Sequence, residues 1–247
     1  MNNLIKITFF VFLLSCGQDI TYENNIKEDL IFLADDKLEG RKTGTEGEKL
    51  AAKYISERFE KLNLSDKGTE NYYQDFYFGN NNNPHEEIEF NKESDNSQIH
   101  ARNVVGFLDN GGSNTVVIGA HYDHLGYGEE SSLYFGDEVL IHNGADDNAS
   151  GTSLLLDLAN RLATKELKSN YLFIAFSGEE MGLLGSNYFL KNPTVSKDEI
   201  NYMINMDMVG RLNEENKLSV SGVGSAKIFK QIVNSNNSNF NLVEFGS

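Results

Sequence analysis

Apolar residues along this chain fall into two rhythms, and the change from one to the other divides it into elements. Ala51, Ala52, Ile55, Phe59 and Leu62 recur at helical spacing. Thr45-Glu46-Gly47-Glu48 precedes them as a capping box, with Thr45 as N-cap and Glu48 bonding back. A short helix is predicted earlier, over 26–34. Residues 115–120 (TVVIGA) are a continuous apolar run, the mark of a strand buried on both faces. A helix over 150–164 follows, then a second buried strand over 171–176 (YLFIAF), a helix over 182–191 and a third strand over 200–206. A strand at 217–221, a helix at 225–236 and a strand at 240–245 complete the series. The Asn-rich stretch 79–98 is predicted as a surface loop between two edge strands. No period of 20–50 residues repeats, which excludes a solenoid or propeller. Strands alternating with helices predict an α/β fold: a mostly parallel mixed sheet with helices on both faces.

Composition narrows the class. A chain of 247 residues suits one domain with a substantial core. Acidic residues outnumber basic ones 37 to 21, a net charge of −16, which argues against a nucleic-acid partner. Lys6 followed by the apolar run Ile7 to Leu14, too short to span a bilayer, reads as a targeting segment. Leu13-Leu14-Ser15-Cys16 resembles the bacterial lipobox, and Cys16 is the sole cysteine, which forbids an internal disulfide. Residues 1–19 are therefore expected to be a lipoprotein signal peptide and anchor, and 20–247 the folded domain. The expected location is that of an exported bacterial lipoprotein of the cell envelope, at the outer membrane or periplasmic face and held to the membrane through lipid on Cys16.

In open α/β sheets, ligands bind beyond the carboxyl ends of the strands. His121 and Asp123 follow the first buried strand; Ser177-Gly178-Glu179-Glu180 follow the second; Asp207 follows the third. The loop-to-helix junction Gly144-Ala145-Asp146-Asp147-Asn148-Ala149-Ser150-Gly151 adds two carboxylates. Carboxylates crowded together cannot all stay ionised without cations. Imidazole and carboxylate donors without thiolates suit Zn²⁺, and less specifically Mn²⁺ or Co²⁺. Asp123 is placed to orient the His121 imidazole. His124 and His142 are expected to be hydrogen-bonded structural residues. Asp147, Asn148 and Ser150 are expected to fix their loop and cap the next helix, and His85 and His100 to be solvated.

His121-Tyr122-Asp123-His124-Leu125-Gly126, the run Gly144 to Gly151, Phe176 to Ser186 and Asn205-Met206-Asp207-Met208-Val209-Gly210 resemble four successive motifs of the M28 zinc aminopeptidases. Leu38-Glu39-Gly40-Arg41 with Gly44-Thr45-Glu46-Gly47 resembles the N-terminal stretch of bacterial members. The resemblance covers roughly 26–247 and implies a zinc-exopeptidase-like fold. It implies a hydrolase that removes N-terminal residues from peptides through a water activated by two zinc ions. His121 and Asp207 would bind one zinc, Glu180 the other, and Asp146 would bridge them. Glu179 would be the general base and Asp123 would hold the His121 imidazole. A cis peptide would follow the bridging residue, at Asp146-Asp147.

Members also carry a second histidine ligand near a late strand, commonly in Ser-Asp-His, and no histidine follows His142. The expectation is a catalytic domain incomplete at its C-terminus, with the second zinc short of one ligand. Two other readings stand beside the aminopeptidase: an acyltransferase resembling glutaminyl cyclase, and a lipoprotein inactive for want of that histidine.

Overall fold

The computed structural model describes residues 22–79, 88–91, 97–129, 132–236 and 239–245. The expected signal segment with Cys16, His85 and part of the 79–98 stretch lie outside them.

The first helix, α1 (Tyr22–Leu33), leads through a 3₁₀ turn, Asp36–Arg41, into α2 (Glu46–Lys61). Thr45 caps α2 by accepting from the Glu48 N–H, but Glu48 reaches back to the Gly44 N–H at 2.6 Å rather than to Thr45. Gly47 lies against the backbone of Leu38, so close that a Cβ there would meet the Leu38 carbonyl oxygen. The strands are β1 (Ser65–Asp66), β2 (Tyr73–Gly79), β3 (Phe90–Asn91), β4 (Gln98–Leu108), β5 (Thr115–His121), β6 (Asn170–Phe176) and β7 (Ile200–Asn205). They form one sheet in the order β3-β2-β4-β6-β5-β7, with β1 also paired to β4. Helix α3 (Gly151–Ala163) lies between β5 and β6, and α4 (Leu184–Lys191) between β6 and β7. A pair of parallel strands, β8 (Lys217–Ser221) and β9 (Asn241–Phe245), flanks α5 (Lys227–Asn236).

The sheet is mixed, and its parallel pairs are confined to β6-β5-β7; β1, β2, β3 and β4 pair antiparallel, as does β4 with β6. Strand β4 is not an edge strand, as the reading of 79–98 had it, because β2 and β6 occupy its two sides. Its run Val104 to Phe107 is buried throughout, which is the burial of an interior strand.

Alternate residues of the inner strands face opposite layers. Val104, Val116, Ile118, Ala120, Phe173 and Ala175 pack with Leu33 of α1, Ile55 and Phe59 of α2 and Leu155 of α3. Val105, Val117, Leu172, Ile174 and Phe176 face the other way, against Phe189 of α4. Helices thus cover both faces. Because β5, β6 and β7 run parallel, the segments following His121, Phe176 and Asn205 all emerge at the same edge.

Candidate metal centre

His121 ends β5 and is buried, and its Nε2 faces a ring of carboxylates. It lies 3.2 Å from Asp147 Oδ1, 3.5 Å from Asp207 Oδ1 and 3.8 Å from Glu179 Oε2. One N–H cannot satisfy three acceptors. Asp147 Oδ1 itself is buried without a hydrogen-bond partner, its contact with His121 lacking hydrogen-bond alignment. A buried, unpartnered carboxylate oxygen facing imidazole nitrogens is what a cation would satisfy. Two donor sets share Asp147: His121, Asp147 and Asp207 form one, and His124, Asp147 and Glu180 the other, with the ligand atoms of each within 4.8 Å of one another. Imidazole nitrogen and carboxylate oxygen fit zinc.

The residue standing between the two sets is Asp147, where the sequence reading had Asp146. Successive side chains at this junction diverge. Asp146 Oδ1 turns away to accept from the Gly210 N–H at 2.9 Å, while Asp147 turns inward. The cis peptide is correspondingly one residue on, at Asp147-Asn148. Asn148 and Ser150 fix the loop as expected, but Ser150, at the N-cap of α3, makes no side-chain capping bond. Asn148 Oδ1 accepts from the N–H of Gly151 and of Met208, its Nδ2 donates to the Met206 carbonyl, and Ser150 Oγ donates to the Asp146 carbonyl. His124, read as structural, has its Nδ1 2.6 Å from Glu180 Oε1 and belongs to the second donor set. Motif position alone could not separate two adjacent aspartates, or a ligating from a packed histidine.

Asp123 is fully buried and holds more than an imidazole. Its Oδ1 is 3.6 Å from His121 Nδ1, which lies nearer, at 3.2 Å, to the Asp123 carbonyl oxygen. Its carboxylate accepts from the N–H groups of Glu179 (3.1 Å) and Glu180 (3.3 Å) and from Thr43 Oγ1 (3.0 Å). One side chain therefore ties the end of β5 to the loop after β6. His100, read as solvated, is part-buried and 2.6 Å from Asp75 Oδ1 on the neighbouring strand. His142 stays outside both donor sets and bonds to Ser132 Oγ.

The electrostatics match this geometry. Burial opposes a charge on His121, but Asp123, Asp147 and Asp207 outweigh it and push its pKa up to about 12. The contact with His121 holds Asp147 below the usual carboxylate range against the effect of burial. Burial raises Glu179, and His121 only partly offsets it while Asp123, Glu180 and Asp207 add to the rise. Glu179 thus stands beside a cluster that calls for positive charge.

The family model described as Peptidase family M28 matches residues 103–243, more than half of the chain and all the elements that carry the two donor sets. The chain belongs to peptidase family M28. Its relatives include aminopeptidase YwaD of Bacillus subtilis, 42% identical over 77 residues, which is 30% of this chain and 16% of that protein. The alkaline phosphatase isozyme conversion protein of Escherichia coli is 28% identical over 169 residues, 68% of this chain and 46% of that one. The chain therefore matches under half the length of either relative. Among solved structures, a Zn-dependent exopeptidase from Parabacteroides distasonis superposes with a TM-score of 0.68 at 20% identity, covering 90% of this chain and 77% of that one. Tannerella forsythia glutaminyl cyclase gives 0.67 at 20% identity, over 92% and 76%. At such identity these two likenesses speak for the fold alone.

Proposed function

We propose that this M28 member is a zinc-dependent exopeptidase acting as an aminopeptidase on peptides, with two zinc sites that share Asp147. The observation carrying this reading is the buried, unpartnered Asp147 Oδ1 between two imidazole-carboxylate sets. His121, Asp147 and Asp207 would hold one ion; His124, Asp147 and Glu180 would hold the other. Zinc bound there would supply Lewis acidity toward the scissile carbonyl and make a water acidic near neutral pH. Glu179, which belongs to neither set, takes the proton of the attacking water and returns it to the leaving amine. Asp123 keeps Glu179 in place through the Glu179 N–H.

The test is hydrolysis of an aminoacyl p-nitroanilide by the zinc-supplemented chain, beside its N-acetylated counterpart. Cleavage of the free-amine substrate alone is expected, with Glu179→Gln slower by roughly 10²–10⁴ and still able to bind zinc. Equal cleavage of the blocked substrate, or a fully active Glu179→Gln, would remove the reading. Cyclisation of an N-terminal glutamine peptide with release of ammonia and no hydrolysis would replace it with the glutaminyl-cyclase alternative.

We further propose that the protein is a lipoprotein of the cell envelope acylated at Cys16. The lipobox-like Leu13-Leu14-Ser15-Cys16 supports this, and among the described residues no helix is long and apolar enough to cross a membrane. Cys16→Ser should release the protein from membranes after a high-salt wash; retention would refute acylation as the anchor.

A further inference from the structure

The Leu38-Glu39-Gly40-Arg41 stretch supplies no candidate ligand, yet it places the largest fully buried side chain among the described residues beside the candidate metal centre. Arg41 is only 1% exposed. Among the described residues it forms no ion pair. Its guanidinium instead spends its donors on main-chain carbonyls of three separate segments. Nε donates to the Tyr122 carbonyl (2.7 Å), Nη1 to those of Leu33 and Asn143 (2.7 Å for the latter), and Nη2 to that of Gly144 (3.1 Å). The Arg41 carbonyl accepts from the His124 N–H at 3.2 Å. Main chain and side chain together bracket Tyr122 to His124 on one side and grip Asn143-Gly144 on the other. Asp147 lies three residues beyond that grip.

The backbone conformation is specific to this contact. Glu39, Gly40 and Arg41 have φ of 48°, 68° and 49°. Two of these are non-glycine residues in the left-handed region, which is unfavourable for any residue with a Cβ. Such positions persist where surrounding bonds over-determine them. Gly40 sits against the carbonyl oxygens of His142 and Gly126, where a Cβ would lie 2.4 and 2.6 Å away. Carbonyls are also the acceptors that leave a guanidinium's charge unneutralised. Asp123, Asp147 and Glu180 are the groups whose charge acts on Arg41.

We propose that Arg41 is a positioning residue for the metal centre, its buried guanidinium setting the spacing between the His121–His124 and Asn143–Asp147 loops. This rests on reading the cluster as a zinc site. Both donor sets share Asp147, so a shift between the loops weakens both. Lysine keeps the charge but, with one ammonium, cannot span carbonyls on three segments.

The experiment measures zinc affinity by competition with a chromogenic chelator for the wild type, Arg41→Lys and Ile55→Ala. Ile55 is buried in α2, belongs to neither donor set, and controls for lost stability. Arg41→Lys is expected to bind zinc roughly 10–100-fold more weakly, the usual cost of disturbing a partner behind the ligands, while Ile55→Ala binds as the wild type. Unchanged zinc affinity in Arg41→Lys overturns the proposal, as does an equal loss in Ile55→Ala. Wild-type protein that binds no zinc sinks the metal-centre reading itself. If Arg41→Lys does not fold, the side-chain N–H resonances of Arg41 in labelled wild type decide. Slow solvent exchange and a shift on zinc addition support the role, and signals indifferent to zinc overturn it.

Discussion

Asp146 and Asp147 share a loop and a charge, but the direction of each side chain gives them different work. Asp147 Oδ1 is buried without a hydrogen-bond partner, whereas Asp146 Oδ1 accepts from a backbone N–H. Asp147→Asn should therefore lose zinc affinity by more than the roughly 10–100-fold typical of outer partners. Asp146→Asn, which can still accept from Gly210, should lose little; isothermal titration with zinc separates the two. Glu48 offers a prediction in pH. Burial first, and then Asp123, push its carboxyl from 4.5 up to about 8, against the bonds from Ser177 and Gly44. A raised folded pKa means the folded state binds the proton more tightly. Its contribution is complete below pH 4.5 and is lost as pH rises through about 8. Over that window the wild type should lose stability by up to ~1.4 kcal/mol per pH unit from this group. Urea unfolding of Glu48→Gln across the same range should show that part of the slope removed.

At the level of elements, the sheet's interior antiparallel strand carries part of the site on its back. Asn103, buried on β4, donates from Nδ2 to Gln74 Oε1 and to the Gly185 carbonyl, both at 2.9 Å, and accepts from the Ser177 N–H at 3.1 Å. It links β2, the start of α4 and the loop that presents Glu179 and Glu180. Asn103→Ala would strand those groups, at about 1–3 kcal/mol for each one left unpaired in the interior. The loss should appear as a lower urea midpoint with an unchanged slope. The same scale shows why α2 was readable in advance and β4 was not. The Thr45 cap and the spacing from Ala51 to Phe59 are local signals. The interior position of β4 depends on which strands pair with it, and pairing is decided far along the chain, at Tyr171 to Ala175.

For the molecule as a whole, charge and metal act together. The chain carries a net charge of −16, and the carboxylates at the sheet edge add local repulsion that a cation relieves. Zinc should raise stability by RT ln(1 + [Zn]/Kd), about 2.7 kcal/mol at a hundred times Kd. A thermal melt with zinc should shift upward and return on adding a chelator. An unmoved melting temperature at saturating zinc would contradict a site formed only in the folded state.

What the sequence alone determined is what local physics determines. Continuous apolar runs specified β5 and β6, helical spacing and the Thr45 cap specified α2, and strand-end placement drew His121, Glu179, Glu180 and Asp207 toward one edge. The tertiary structure decided what depends on direction and distance between remote segments. It chose Asp147 over Asp146, brought His124 to Glu180, limited the parallel pairs of the sheet to β6-β5-β7, and buried Arg41 between two loops. A side chain's direction at a turn and a strand's partner are set by contacts with residues tens of positions away, and no local pattern encodes them.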